Sequence, residues 1–228
     1  MQAIVLAGGF GTRLRQVVSD VPKPMAPVAG RPFLEIVLNS LAIKGITKVV
    51  LSVGFMGEKI SSYFGASYAN MEVAYAIEDE PLGTGGGVRL AMEKITDDHV
   101  FVFNGDTFLD LETSLVQLHW QQQKRPMIIG CEVPDTHRFG RLLASNGLVT
   151  GFTEKGVLGP GLINAGCYVL ERHQLDQFAL NVPFSLESEF LRPAVARGEF
   201  DVFVTRGIFI DIGIPEDYAR AQTVLHEY

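Results

Sequence analysis

Three glycines, an arginine and a lysine near the start of the chain are the residues best suited to chemistry. The run Leu6-Ala7-Gly8-Gly9-Phe10-Gly11-Thr12-Arg13-Leu14 follows the apolar stretch Ala3-Ile4-Val5-Leu6, which reads as a buried strand. Glycines let a backbone approach a ligand closely. Successive backbone N–H groups in such a turn cradle phosphate oxygens. Arg13, and Lys23 in Pro22-Lys23-Pro24-Met25, add two positive charges. Such a loop suits a nucleoside triphosphate and chemistry at its phosphates. Two common phosphate loops are excluded. A P-loop needs G-x-x-x-x-G-K-[ST], and no glycine here precedes Lys-Ser or Lys-Thr. A dinucleotide fingerprint needs G-x-G-x-x-G, and Leu14 stands where its third glycine would be. A bare Gly9-Phe10-Gly11 also fits a simple tight turn; the Pro-Lys-Pro that follows favours the phosphate.

Carboxylates come next. Asp106 follows the apolar run Val100–Phe103 in Asn104-Gly105-Asp106, and Asp211 follows Ile208-Phe209-Ile210 in Asp211-Ile212-Gly213. Either is compatible with a cap or a turn. Projected together from strand ends, they can share a Mg2+ that keeps substrate phosphates in its shell. Glu154-Lys155 is compatible with an exposed ion pair, or with Lys155 on an acceptor phosphate and Glu154 on acceptor hydroxyls. Asn164 and Gly166, in Ile163-Asn164-Ala165-Gly166, offer a polar contact and close backbone approach. Pro81-Leu82-Gly83-Thr84-Gly85-Gly86-Gly87 is a second glycine-rich loop opening onto a helix. It suits an anion at the helix N-terminus, a flat base lying on backbone, or a flexible surface loop.

The elements that must position these residues alternate in the first half. Strand patterns lie at Lys48–Val53, Met71–Ala76 and His99–Phe103, and helix patterns at Pro32–Lys44, Glu58–Phe64 and Gly87–Ile95. This rhythm predicts a parallel sheet covered on both faces, with the site outside the carboxyl ends of its strands. In the second half, strands are predicted at Pro126–Glu132, Ile163–Leu170, Asp201–Thr205 and Ile208–Asp211. Ser145-Asn146-Gly147 between Leu142–Ala144 and Val149–Phe152 predicts a hairpin. Leu186–Arg197 reads as a helix, and Pro215 opens the last one.

With 228 residues, 47% of them hydrophobic, the chain can bury a large core. No repeat or linker interrupts it. One domain is expected over residues 1–228, with a nucleotide half to about residue 110 and an acceptor half after it. A net charge of −7 argues against nucleic-acid and anionic-membrane partners and requires positive charge to be local, at Arg13, Arg15, Lys23 and Lys155. No apolar run reaches the length of a membrane span, and the chain opens on its first strand without a basic leader. Cys131 and Cys167 lack C-x-x-C spacing and read as reduced core thiols, which fits a cytoplasmic location. The five histidines have no metal-ligand spacing.

Gly8-Gly9-Phe10-Gly11-Thr12-Arg13-Leu14, Pro22-Lys23-Pro24-Met25, Leu82-Gly83-Thr84, Gly105-Asp106, Glu154-Lys155, Asn164-Ala165-Gly166 and Asp211-Ile212-Gly213 together resemble the sugar-phosphate nucleotidyltransferases. The motifs occur in family order and span nearly the whole chain. Arg13-Leu14-Arg15 through Ser19–Met25 looks most like the members that use D-glycero-α-D-manno-heptose 1-phosphate and GTP, with mannose 1-phosphate guanylyltransferases second. The chain departs from many relatives at Gly85, where Ala often follows the Thr, and at Gly156, where Pro often follows Glu-Lys. It also ends without the C-terminal β-helix of longer members.

The resemblance implies an α/β, Rossmann-like three-layer sandwich with a mostly parallel mixed sheet. It implies attack by a sugar 1-phosphate oxygen on the α-phosphorus of a nucleoside triphosphate, with Mg2+ as cofactor. Arg13 and Lys23 are then the catalytic residues, on the leaving pyrophosphate and the α-phosphate. Leu6, Ala7, Gly8, Gly9, Gly11, Thr12, Glu78, Pro81, Gly83, Thr84, Asn104 and Gly105 hold the nucleotide. Glu154, Lys155, Asn164 and Gly166 hold the sugar phosphate, and Asp106 and Asp211 the metal. Glu78 stands where the family places a base-reading side chain. A carboxylate only accepts hydrogen bonds, and guanine offers it two adjacent donors, so GTP is expected. Three alternatives stay open: a glucose 1-phosphate thymidylyltransferase or other relative, a non-catalytic paralogue, and a dehydrogenase, which Leu14 disfavours. A homodimer is compatible with so short a member.

Overall fold

The computed structural model describes residues 1–9 and 20–228. Its strands are β1 (Gln2–Leu6), β2 (Pro27–Val28), β3 (Arg31–Pro32), β4 (Lys48–Val53), β5 (Ser67–Tyr68), β6 (Met71–Ile77) and β7 (His99–Asn104), followed by β8 (Thr107–Leu109), β9 (Met127–Val133), β10 (Leu142–Ser145), β11 (Leu148–Phe152), β12 (Gly161–Glu171), β13 (Asp201–Thr205) and β14 (Phe209–Asp211). The helices are α1 (Phe33–Ile43), α2 (Gly57–Phe64), α3 (Gly83–Met92), α4 (Thr113–Gln123), α5 (Arg192–Ala196) and α6 (Pro215–Val224). Ten strands form one sheet in the order β10-β11-β13-β9-β12-β7-β1-β4-β6-β5. β5, β11 and β12 run against the others, so the sheet is mixed but mostly parallel. β8 and β14 pair separately.

The apolar runs are continuous because both faces of the sheet are covered. On one face Ala3 and Val5 of β1 and Phe101 and Phe103 of β7 pack into a core shared with α1, α2, α4 and α6. On the other, Ile4, Val100 and Val102 meet α3 and the segment from Leu175 to Phe200. The result is the expected three-layer α/β sandwich. Among the described residues no helix is long and apolar enough to cross a membrane.

Most predicted elements stand within a residue or two of their expected bounds. Asn146 and Gly147 take φ of 52° and 79°, the paired left-handed geometry of a two-residue hairpin turn. Three differences have physical causes. α3 starts at Gly83 rather than Gly87, so the second glycine loop is helix for most of its length. Tertiary packing overrides the roughly 1 kcal/mol that each glycine costs a helix. Leu186–Leu191 forms a wide π-helical turn before α5, which accommodates Pro193 and its missing N–H. α4 is not anticipated, because only Thr113, Val116 and Trp120 of it are buried while Leu115 and Leu118 face solvent.

Candidate active site

Strand register brings the chemistry-bearing loops to one edge. Beyond the strands, the hydrogen-bond ladder continues by one step: Ala7 N–H donates to the Ser52 carbonyl (2.8 Å), Glu78 N–H to Val53 (2.8 Å) and Gly105 N–H to Leu6 (2.9 Å). The loops after β1, β4, β6 and β7 are therefore tied together at their starts. A Cβ on Gly105 would lie 2.4 Å from the Leu6 carbonyl, so glycine there keeps β1 and β7 paired up to the site.

Two small cavities open beside the first loop. One, of about 200 Å³, is lined by Leu6, Gly9, Lys23, Pro24, Thr84, Asn104 and Asp106. Among the described residues nothing lies within 4 Å of where a Cβ on Gly9 would be. The other, of about 250 Å³, is lined by Gly8, Gly54, Phe55, Pro81 and the acids Glu78, Asp79 and Glu80. Glu78 is engaged by the protein. Its Oε1 accepts from the Ser52 hydroxyl (2.8 Å) and its Oε2 from the Leu82 N–H (3.0 Å). Each oxygen keeps a further lone pair for a ligand. A Cβ on Gly8 or Gly87 would lie 3.0 or 2.9 Å from Glu78 Oε1, so both glycines make room for the carboxylate.

The second glycine loop is corrected in its bounds. Gly85, Gly86 and Gly87 are buried, and the atoms that approach them belong to the protein. A Cβ on Gly85 would fall 2.2 Å from the Phe184 ring, and one on Gly83, at φ +69°, 2.7 Å from the Phe184 carbonyl. The Thr84 hydroxyl accepts the Leu186 N–H (3.0 Å), leaving its proton to donate. Gly85–Gly87 are packed inside the protein, while Pro81, Gly83 and Thr84 are exposed, Thr84 beside the first cavity and Pro81 beside the second.

Lys23 and the two aspartates converge. Lys23 Nζ lies 2.5 Å from Asp106 Oδ2, and the lysine side chain is only 11% exposed. Asp211 Oδ1 accepts the Gly213 N–H (2.7 Å). A Cβ on Gly213 would stand 2.7 Å from that Oδ1 and 3.2 Å from Lys23 Nζ, which places Asp211 and the ammonium that pairs with Asp106 around one glycine. β8 and β14 set this up by pairing Asp211 with Thr107, directly after Asp106. Burial pushes the Asp211 carboxyl above its ordinary range, and the neighbouring Asp106 charge adds to the shift. The Gly213 N–H, Lys23 and Arg138 oppose it.

A third cavity, of about 210 Å³, adjoins the aspartates. It is lined by Asn104, Thr107 and Asp211, by Asn164, Gly166 and Tyr168 of β12, and by Arg141, Phe152, Lys155 and Glu187. Gly166, at φ +67°, yields the space its Cβ would occupy to the Asn104 amide, 2.3 Å away. Asn164 shapes the bulge in β12 by accepting the Gly166 N–H (3.0 Å) and donating to the Tyr168 hydroxyl (3.0 Å). Lys155 lines this cavity; Glu154 is exposed and is not part of its wall, because the chain turns outward after β11. Gly11, Thr12 and Arg13 lie outside the described residues. Ala7 is buried in the core. Not anticipated were Gly54, Phe55, Thr107, Phe139, Arg141 and Tyr168. Also unanticipated were the charged Asp79, Glu80 and Glu187, which with Arg141 line the second and third cavities.

Cys131 and Cys167 are buried free thiols, and burial pushes Cys131 up to about 11 and Cys167 well above its ordinary value. Neither is a nucleophile at neutral pH.

Fold and site together define an α/β protein with two cavities that share Asn104, one lined by Asp106 and Lys23 and the other by Asp211 and Lys155. The family described as "Nucleotidyl transferase" matches residues 2–227. The chain belongs to the nucleotidyl transferase family. It is 39% identical to D-glycero-alpha-D-manno-heptose 1-phosphate guanylyltransferase of Aneurinibacillus thermoaerophilus, over 100% of both chains. To the protein of the same name from Campylobacter jejuni it is 39% identical, over 96% of this chain and 97% of that one. The crystal structure of HddC from Yersinia pseudotuberculosis, also solved complexed with GMP-PN, superposes with a TM-score of 0.87 at 37% identity, covering 97% of each chain.

Proposed function

We propose that this chain transfers GMP from GTP to a sugar 1-phosphate, releasing pyrophosphate, with D-glycero-α-D-manno-heptose 1-phosphate as the acceptor. One observation carries the reading. Asn104 lines both the cavity bearing Asp106 and Lys23 and the cavity bearing Asp211 and Lys155, so two phosphorylated ligands would meet between the aspartates. The full-length relatives named as heptose 1-phosphate guanylyltransferases support the choice of base and acceptor.

In this reading the acceptor phosphate oxygen attacks the α-phosphorus. One P–O bond forms there, and the bond to the bridging oxygen breaks, its electron pair leaving with pyrophosphate. No general base is required, because a phosphate monoester with a second pKa of about 6 is mostly dianionic at neutral pH. Catalysis is then positioning and charge stabilisation. Lys23 donates to the α-phosphate, Lys155 to the acceptor phosphate, and Thr84 and the loop around Gly9 to the nucleotide. Glu78 accepts from guanine N1–H and the exocyclic amino group with its two remaining lone pairs.

Asp106 and Asp211 are hard oxygen donors, and the Asp211 carboxyl is raised by burial first and by the neighbouring Asp106 charge second. That suits a divalent cation. Among the described residues no group of three or more His, Cys, Asp or Glu side chains gathers, so water and substrate phosphates would complete its shell. Bound between these carboxylates, Mg2+ would neutralise phosphate charge. The test is pyrophosphate release with Mg2+, each nucleoside triphosphate being paired with heptose 1-phosphate and with mannose 1-phosphate. Release with GTP and the heptose is expected. Release only with another triphosphate would overturn the Glu78 argument, and no release with any pair would overturn the function.

A further inference from the structure

We infer that Ser52 is a positioning residue that aims the Glu78 carboxylate at guanine and so sets the choice of nucleotide from inside the sheet. The inference rests on the reading that Glu78 accepts from the base. Ser52 is fully buried on β4, the one polar residue between Val49 and Val53. A hydroxyl in such a place is costly unless it is hydrogen-bonded. This one donates to Glu78 Oε1 (2.8 Å). Strand register brings the two together. Ser52 stands opposite Ala76 of β6, and the Glu78 N–H carries the ladder one step further to the Val53 carbonyl (2.8 Å). Side chains two apart on a strand share a face, so Glu78 lies diagonal to Ser52 on the face of Ala76. On that face Val50 and Ala76 pack with Val88 and Ala91 of α3. A Cβ on Gly87 of α3 would lie 2.8 Å from Ser52 Oγ and 2.9 Å from Glu78 Oε1, so the glycine leaves room for the bonded pair.

Ser52 acts through the carboxylate. Glu78 lines the second cavity and Ser52 does not. The last torsion of a glutamate side chain is soft, so one hydrogen bond alone leaves its plane free to turn. Here the Ser52 hydroxyl holds one oxygen and the Leu82 N–H the other (3.0 Å). Guanine needs both oxygens in place at once, one for N1–H and one for the 2-amino group. Hypoxanthine offers only N1–H, so the contact that tells GTP from ITP is the one a turned carboxylate loses. Ser52 also accepts the Ala7 N–H (2.8 Å) through its carbonyl, which ties the first glycine loop to the same strand. Substitution by alanine keeps that backbone bond and removes only the grip on Glu78.

The test compares kcat/KM for GTP and for ITP, with heptose 1-phosphate saturating, in wild type, Ser52→Ala, Ser52→Cys, Glu78→Ala and the Ser52→Ala/Glu78→Ala double variant. A hydrogen bond to a charged group is worth about tenfold or more, so Glu78→Ala should lower the GTP-to-ITP ratio by at least about tenfold. Ser52→Ala leaves the carboxylate in place but frees it to turn, and should lower the ratio by at least about threefold. KM for heptose 1-phosphate should not move, and Ser52→Ala should change nothing further in the Glu78→Ala background. Thermal unfolding is measured alongside. Ser52→Cys fills the buried volume with a weaker donor and carries the test if the Ala variant is misfolded. A ratio within about threefold of wild type in the variant that carries the test, or an equal fall in the Glu78→Ala background, overturns the inference alone. An unchanged ratio in Glu78→Ala, or no use of GTP by wild type, overturns the reading of Glu78 and the inference together.

Discussion

Gly85 is the position where a single methyl group best tests how the nucleotide side of the site is held. In an isolated helix, Gly→Ala stabilises by about 1 kcal/mol. Here the new Cβ would lie 2.2 and 2.3 Å from Cε2 and Cδ2 of Phe184. The ring has little room to retreat. It is stacked on Phe178, with centroids 3.9 Å apart and planes 6° from parallel, and its residue is 6% exposed. Its backbone is fixed as well, because Phe184 accepts the Gly85 N–H (3.0 Å) and donates to the Leu82 carbonyl (3.0 Å). Overpacking costs about 1–3 kcal/mol, and a 2.2 Å approach to a ring without room to retreat belongs to its upper half, about 2–3 kcal/mol. Set against the helix gain, Gly85→Ala should lose about 1–2 kcal/mol in urea unfolding. In a Phe184→Ala background the space is vacated, and the same substitution should stabilise by up to about 1 kcal/mol. The coupling of about 2 kcal/mol is well outside the roughly 0.5 kcal/mol scatter of independent sites. The damage should reach function through Thr84 and Pro81, raising KM for GTP more than KM for the acceptor. A neutral or stabilising Gly85→Ala in the parent chain would refute the packing argument.

Glu78→Gln replaces one acceptor oxygen with a donor, and the preference for GTP over other triphosphates should drop about tenfold; an unchanged preference assigns Glu78 to loop structure alone. Asp106→Ala and Lys23→Met should each lower kcat by about a hundredfold or more, and because Lys23 is only 11% exposed, Asp106→Ala also lowers the thermal midpoint by leaving its ammonium unpaired; near-normal turnover in both removes them from the chemistry. Asp98 is held down to about 2 by hydrogen bonds from Lys124 and His99. A carboxyl whose folded pKa lies below its ordinary 3.8 adds stability above about pH 4 and loses it as pH falls from there towards 2. The side chain is 59% exposed, so screening limits the contribution to about 0.5 kcal/mol. Asp98→Asn should lower urea stability by that amount at pH 7 and progressively less from pH 4 to pH 2, and a pH-independent deficit would contradict the assignment.

How much the sequence disclosed depended on whether a signal was local. The alternation of strand and helix, the Asn146-Gly147 turn and the strand-end positions of Asp106 and Asp211 follow from period and turn chemistry, and the structure places them as expected. The start of α3 was hidden because Gly83–Gly87 carries every local mark of a loop. What makes it helical is the ring of Phe184, about a hundred residues away in sequence. α4 was hidden for the opposite reason, since its exposed Leu115 and Leu118 blur the apolar stripe that Val116 and Trp120 would otherwise draw. Glu154 shows the limit of motif reasoning. Its neighbour Lys155 faces the cavity and it does not, because the chain leaves β11 at that point. Arg141 belongs to none of the sequence motifs and enters the site only through the fold, which sets it in the wall of the third cavity.

The last helix explains how pieces so far apart in sequence are held in one geometry. α6 leaves the site directly after Asp211-Ile212-Gly213 and returns along the β2–β3 hairpin. Gln222 donates to the Pro27 carbonyl (3.0 Å) and accepts the Ala29 N–H (3.0 Å), while the Tyr218 hydroxyl also donates to Pro27 (2.5 Å). That hairpin continues the short turn that carries Lys23. One turn earlier, Asp217 pairs with Arg138 (2.6 Å), whose neighbour Phe139 lines the acceptor cavity and packs edge-on against Phe209. One helix therefore fixes Lys23, Asp211 and the acceptor wall relative to one another. A reaction that needs no proton abstraction depends on that fixity. Its barrier lies in aligning two polyanions for in-line displacement, and misplacing reacting groups by about 1 Å can cost a hundredfold in rate.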